Sequence, residues 1–290
     1  MTQTADARGL VGGDLVVCTE YGSVEIVDSD DEQVRLQIRV DGFGEGSELP
    51  AQAAVRVIEE TTLHSYITST QGRLHVRVWH STLGFTRPGA QPAFVSVRLQ
   101  VPARGAYSVR TEAFHGLVAV RRLTITSVTM RGAVGDKFRG IPGFLHGTEL
   151  DNVELAGDVD IDNIAGLPGI RAPVAPQVLS LAAPIFVKAR VSENSRLRAV
   201  TGGDINIAIQ PAPELGVRAL AESNSERVRV GIDGGVAGDS SSNATFRVRR
   251  TVSSAAFEAK RVKIEVHAAS GPGSVNITSI PAAPLAPIRP

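Results

Sequence analysis

Hydrophobic and polar residues alternate along most of this chain, and six of the alternating segments begin with a glycine. In each segment the second and fourth residues after the glycine are apolar and branched. Glycine permits tight or left-handed backbone at a turn, and alternating apolar residues bury one face of a β-strand. The pattern therefore predicts a repeated β-unit whose apolar residues face one way. The segments are 22–26, 72–76, 116–120, 157–161, 203–207 and 273–277.

Longer segments, such as 34–40, 95–101 and 262–266, continue the period of two, and no window keeps a helical period. Most of the intervals between the repeat glycines are 41 to 50 residues, a spacing shared with propeller blades. A propeller fits poorly because the chain has one tryptophan, Trp79, and no repeated Trp-Asp pair. The sequence predicts an all-β, elongated single-domain β-solenoid, or β-helix, whose handedness the pattern leaves open.

Changes in composition divide the chain. We expect an N-terminal arm or cap at 1–13, the solenoid at 14–280, and a proline-rich, disordered tail at 281–290. The tail's proline spacing also suits a polyproline II ligand. Alternation weakens at about 132–186, where two similar Pro-Gly turns predict an irregular insertion of extended loops. A lid or a partner-binding insertion is the alternative for that segment.

Composition narrows the class of protein. The 290 residues are 42% hydrophobic and only 4% aromatic, which favours thin layers of small branched side chains. The 30 basic and 30 acidic residues balance, so no overall field attracts nucleic acid or anionic lipid. Cys18 is the only cysteine; it excludes an intrachain disulfide and is predicted to be buried. Neither a signal peptide nor a membrane-spanning run is recognised, which by itself predicts a cytoplasmic protein.

Three segments carry a resemblance to a known bacterial group. They are 17–26, the strand pair 97–102 and 107–111, and 197–207, which contains the turn Gly202-Gly203-Asp204-Ile205. Together they resemble the bacterial β-strand-repeat adhesin family, domain of unknown function 4097, in which alternating strands are broken by a Thr-x-Ser-Gly-Asp-Ile type turn. The resemblance implies a β-helical fold and an envelope-associated or extracellular, non-catalytic role. It provides no catalytic residues to carry over.

Two small constellations have candidate chemistry. Asp158, Asp160 and Asp162 share one face of a predicted strand and form a candidate site for a hard cation, with a solvated strand face as the alternative. Arg77 and Trp79 share a face and form a candidate glycan contact, with simple packing as the alternative. No phosphate-binding loop, nucleophile elbow or histidine metal motif occurs, so we predict no cofactor and no catalytic residue.

Basic residues alternate with apolar ones on the late strands. If successive coils align, these residues form a basic ladder that would contact an anionic polymer such as teichoic acid, lipopolysaccharide or nucleic acid. A face on which they pair with nearby glutamates is the alternative reading. The residues are Arg196, Arg198, Arg227, Arg229, Arg247, Arg249, Arg261 and Lys263.

The sequence therefore predicts a non-enzymatic, adhesin-like surface or scaffold module that binds a protein or polysaccharide partner through a regular β-face. One alternative is a filament subunit that assembles by stacking its ends, because terminal strand edges are unpaired. The other is a carbohydrate-active β-helix enzyme that uses the aspartates at 158 to 162.

Overall fold

The computed structural model describes residues 2–19, 22–42, 61–82, 93–113, 116–132, 147–163, 184–243 and 245–280. They form 20 β-strands and one short 3-10 helix, Phe257–Ala259, and strand accounts for 72% of the structure. The prediction of an all-β protein is confirmed. No helix in these residues is long and apolar enough to cross a membrane. The strands are β1 (Thr2–Asp6), β2 (Gly12–Thr19), β3 (Val24–Ser29), β4 (Gln33–Gly42), β5 (Thr61–Thr70), β6 (Arg73–Thr82), β7 (Ala93–Pro102), β8 (Ala106–Ala113), β9 (Leu117–Arg121), β10 (Thr124–Gly132), β11 (Gly147–Asp162), β12 (Ile185–Val191), β13 (Ser195–Thr201), β14 (Ile205–Ile209), β15 (Leu215–Ser223), β16 (Val228–Gly231), β17 (Gly235–Ser241), β18 (Val248–Ser254), β19 (Val262–Ser270) and β20 (Val275–Ser279).

Strand pairing arranges the sheet as two layers. The first layer has the order β5-β6-β2-β8-β10-β11-β13-β19-β15-β18-β17. The second layer has the order β1-β4-β7-β3-β9-β11-β12-β14-β20-β16. The C-terminal part of the long strand β11 belongs to the first layer and its N-terminal part to the second, so this strand joins them.

The core lies between the layers and contains the branched couplets that the sequence pattern identified. Both apolar residues of every couplet are buried, because period-two alternation sends them to the same side of the strand. The fully buried Tyr107 is the largest core side chain, and its hydroxyl donates a hydrogen bond to the carbonyl oxygen of Pro102 at 2.8 Å. The couplet residues are Val24, Ile26, Leu74, Val76, Val118, Val120, Val159, Ile161, Ile205, Ile207, Val275 and Ile277.

The prediction of an elongated β-solenoid is wrong. The described strands belong to one 20-stranded sheet that curls into a nearly closed barrel shape. A regular solenoid would stack parallel strands coil by coil, whereas here β5–β6, β4–β7, β15–β18 and β17–β18 are antiparallel. Alternation reports which side of a strand is buried but carries no information on its pairing partner, so the same couplets suit a curled sheet.

Glycines allow the close approach of strands where the chain turns between the layers. Gly22 and Gly116 have φ values of 146° and 145°, a region that side-chain-bearing residues rarely adopt. A Cβ atom on Gly116 would lie 1.8 Å from the carbonyl oxygen of Gly22, and one on Gly22 would lie 1.8 Å from that of Val95. Glycine before these two couplets is therefore required by close backbone packing as well as by turn geometry.

The predicted domain boundaries fall on several elements. The N-terminal arm at 1–13 contains β1, and the segment 132–186 contains β11, which pairs on both of its halves. Residues 133–146, 164–183 and 281–290 lie outside the described residues. The loop, lid and tail assignments for those segments stay predictions.

Candidate functional site

Outward-facing side chains line up in rows across the C-terminal end of the first layer. Because β13, β19, β15 and β18 are in register, Arg198 lies opposite His267, which lies opposite Leu220, which lies opposite Thr251. A second row, two residues away along each strand, extends onto β17. That row consists of Arg196, Glu265, Arg218, Ser253 and Val236.

These two rows line a groove of about 730 Å³ that is open to solvent, and we call it the outer groove. Most of its exposed wall is apolar, and Val236 on β17 is 62% exposed there. A second cavity of about 500 Å³ shares Arg196, Arg218 and Glu265 with the outer groove. The two cavities are therefore adjacent and form one elongated depression across the sheet.

The arginines of the outer groove differ in how firmly they are held. Arg198 bonds to Asp160 at 2.8 Å and to Asp162 at 3.1 Å. Burial lowers the pKa of Arg198, but these two hydrogen bonds outweigh it and raise the pKa above its usual value. Arg196 differs, because its side chain is 78% exposed and its ion pair with Glu265 is 3.9 Å long. Its guanidinium is the more accessible to an incoming anion.

Arg218 and Lys263 surround the second cavity together with an aromatic ring. The Arg218 guanidinium lies 4.2 Å from the centroid of Phe257 and bonds to Glu258 at 2.5 Å. Lys263 lies 3.7 Å from the same glutamate. The hydrogen bond from Arg218 lowers the pKa of Glu258, so this carboxylate is ionised at neutral pH.

His267, which lines the outer groove, contacts a buried glutamate beside it. The Nε2 atom of His267 is 2.8 Å from Oε2 of Glu222, whose side chain is only 9% exposed. The Nε atom of Arg249 lies 3.3 Å from the other oxygen of Glu222. The pair fixes the imidazole against the sheet and gives the buried carboxylate two partners.

The structure places the three predicted cation ligands along β11 and pairs each with an arginine. Asp158 accepts the backbone N–H of Arg196 at 2.8 Å, and Asp160 lies 2.5 Å from Arg131 as well as 2.8 Å from Arg198. Burial raises the pKa of Asp160, but the two arginine hydrogen bonds outweigh it and lower the pKa. Within the described ranges, no group of three His, Cys, Asp or Glu side chains is arranged to hold a metal. Asp160 and Asp162 form ion pairs with arginine side chains, and the cation hypothesis stays a prediction.

The predicted basic residues do not all meet on one face. Arg196, Arg198, Arg249 and Lys263 are on strands of the first layer, whereas Arg229 is on β16 in the second. The other three are Arg227, Arg247 and Arg261, which immediately precede β16, β18 and β19. The anionic-polymer hypothesis stays a prediction, now centred on Arg196 and Arg198.

The candidate glycan contact lies elsewhere on the first layer. Arg77 and Trp79 point outward from β6, and Trp79 is 61% exposed. Five strand steps separate β6 from β13, so about 24 Å of sheet lies between this contact and the outer groove. Cys18 is opposite Trp79 on β2 and is half-buried on the outer side, not enclosed in the core. Its pKa is raised by burial and by the charge of Glu112.

Sequence reasoning missed Arg218, Leu220, Val236 and His267 as members of one site. They come together because β15 lies between β19 and β18, and β18 pairs in turn with β17. The sequence pattern does indicate the position of Leu220. Val217, Ala219 and Ala221 face the core, so alternation places Leu220 on the solvent-exposed side of β15. Leu220 lines the outer groove together with the exposed Val236, and a continuous exposed apolar patch marks surface that another molecule can cover.

No family model matches this chain, and no curated protein matches it. Among solved structures, the chain is similar to a candidate cell adhesion protein from Clostridium sporogenes, with a TM-score of 0.47 and 10% identity over 97% of this chain and 98% of that one. It also matches a candidate adhesin from Bacteroides fragilis, with a TM-score of 0.24 and 10% identity over 97% and 96%. The sequence resemblance to the adhesin family therefore has no family-model match behind it.

Proposed function

We propose that this protein is a non-enzymatic binding module that holds an acidic polysaccharide chain in the outer groove. The observation that carries the proposal is the continuity of the outer groove with the second cavity, through three shared residues. Such an elongated, open depression suits a polymer better than an enclosed small molecule.

The chemistry of the walls supports the same class of ligand. Leu220 and Val236 offer apolar surface to the C–H faces of sugar rings. Arg196 offers an accessible guanidinium, which forms paired hydrogen bonds with carboxylates. The sequence resemblance to the adhesin family implies the same kind of non-catalytic role.

The state of the bordering carboxylates supports binding over catalysis. Glycoside hydrolysis requires one carboxylic acid that stays protonated, usually because its pKa is raised. Asp160 and Glu258 have pKa values lowered by their arginine partners.

Calorimetric titration with polygalacturonate, with neutral dextran as the comparison polymer, tests the proposal. We expect the protein to bind polygalacturonate, not dextran, and to bind more weakly as salt increases. Arg196→Gln and Leu220→Gln should each weaken binding by about tenfold, the ratio that corresponds to 1.4 kcal/mol. Arg110→Gln is the matched control, because Arg110 is exposed on the first layer but lies outside both cavities.

Three results would overturn the proposal. Absence of polygalacturonate binding would exclude an acidic polysaccharide as the ligand. Equal losses of affinity in Arg110→Gln and Arg196→Gln would exclude the outer groove as the binding site. Release of new reducing ends from the polymer removes the non-enzymatic role.

A further inference from the structure

The four strands at the ends of the two layers differ in their protection against pairing with another chain. Exposed strand edges pair with other strands unless charges, bulges, glycines or short length prevent it. In the part of the chain that the structure describes, β5 and β17 end the first layer, and β1 and β16 end the second.

Three of these edges have protective features. β1 is short, with five residues, and it ends in charged groups, Asp6 and the nearby Arg8. β16 has four residues, including Arg229 and a terminal glycine. β17 contains two glycines and an irregularity between Ala237 and Ser240 that breaks its hydrogen-bonding register.

β5 has none of these features. Its ten residues, TTLHSYITST, include no lysine, arginine, aspartate, glutamate, proline or glycine. It pairs continuously with β6 from Thr61 to Thr70 without a register shift. Among the described strands only β6 pairs with it, so its second edge has no strand partner in this part of the chain.

Exposed aromatic surface lies directly beside this edge. Tyr66 is 45% exposed on β5, and Trp79 is 61% exposed on the neighbouring strand β6. Tyr66 lies opposite Arg77, so Trp79 is its diagonal neighbour on the same outer side. A hydrogen bond of 3.0 Å between the side chains of Gln3 and Ser65 links β5 to β1 across the two layers. The edge is thus preformed and bordered by apolar surface.

We infer that β5 is a dimerisation edge, at which a second copy of this chain adds its own β5 in antiparallel orientation. A strand without charges brings no like-charge repulsion when it meets itself, and Ser, Thr and Tyr side chains pair favourably across strands. Antiparallel pairing of identical strands about a two-fold axis forms a closed, isologous contact. The protected edges at the other end of the sheet oppose continued growth, so the inferred assembly is a dimer and not a filament.

Tyr66 is suitable for the test because it lies near the middle of β5. In any two-fold register near the strand centre, the two copies of residue 66 lie close together. Tyr66→Lys and Tyr66→Glu should therefore each weaken dimerisation by about tenfold or more, since like charges would face each other. Mixing the two variants places lysine opposite glutamate and should restore a one-to-one dimer.

Sedimentation equilibrium of the full chain over a wide concentration range measures the assembly. We expect a mass twice the 30.5 kDa of one chain, and monomers for each Tyr66 variant alone. Val236→Lys is the matched control, because Val236 is exposed on the β17 edge and should leave the dimer intact. A second control, circular dichroism, confirms that each variant keeps its strand content.

A wild-type chain that stays monomeric at every concentration would overturn the inference. So would a dimer that Val236→Lys dissociates and Tyr66→Lys does not, or a mixture of the two Tyr66 variants that fails to associate. The outer groove begins six strand steps away at β13, about 29 Å along the sheet, so loss of polymer binding and loss of dimerisation are separate results.

Discussion

Replacement of Gly116 by alanine tests the close backbone packing on which the curled sheet depends. The new Cβ atom would lie 1.8 Å from the carbonyl oxygen of Gly22. Carbon–oxygen contacts in sheets are about 3.3 Å, so the two segments must separate by about 1.5 Å. Neither atom belongs to a flexible side chain, so the strain falls on the backbone itself.

The expected cost is the sum of a conformational and a hydrogen-bonding contribution. A side-chain-bearing residue at the φ of 145° costs about 1–3 kcal/mol. Separation of the segments also weakens the backbone hydrogen bonds between β3 and β9, whose pairing begins two residues away at Val24 and Val118; each bond is worth about 1 kcal/mol. With two such bonds lost, the free energy of unfolding should fall by about 4 kcal/mol.

Urea unfolding followed by circular dichroism measures this change. With a slope of about 3 kcal/mol per molar urea, the midpoint should fall by about 1.3 M. Gly231→Ala is the control, because a Cβ atom there meets nothing within 4 Å. Its midpoint should stay near that of the wild type or rise slightly. Equal midpoints for the two variants would refute the close approach at Gly116.

Three further predictions concern individual side chains. Asp160→Asn should make the free energy of unfolding depend less on pH in the acid range. Because the pKa of Asp160 is lowered in the folded protein, the ionised carboxylate stabilises the fold above its ordinary pKa of 3.8, and this stabilisation is lost as pH falls. Urea titrations at several pH values measure the difference. Tyr107→Phe should cost about 1 kcal/mol in thermal unfolding, because the Pro102 carbonyl loses one of its two donors and keeps only the Gly105 N–H. Glu112→Gln should speed alkylation of Cys18, because the Glu112 charge raises the thiol pKa; an unchanged rate would contradict this.

The buried couplets were predictable because alternation is a local property. Val159 and Ile161, for example, are buried as their spacing after Gly157 indicates. Strand pairing was not predictable in the same way. β2 pairs with β6 and β8, and β13 pairs with β11 and β19, which are distant in sequence and have the same alternating pattern. Apolar alternation alone cannot distinguish one such partner from another.

The candidate site was predictable only in part, for the same reason. Arg196 and Arg198 stand out because polar residues alternate with apolar ones on their own strand. Their acidic partners, Asp160 and Asp162, could be predicted only as a candidate cation site or a solvated strand face, because nothing local shows that β11 lies beside β13. The acidic and basic patterns are complementary halves of one network.

The separation of core and outer face also determines how function can be tested. Core positions such as Ala219 and Val266 are fixed by packing between the layers, so substitutions there alter stability and binding together. Leu220 faces outward on the same strand as Ala219, and Arg196 faces outward on β13 beside the buried Leu197, so their replacement removes wall chemistry while leaving the couplets intact. Because these two sets alternate along each strand, a loss of binding without a change in unfolding midpoint assigns the effect to the outer groove itself.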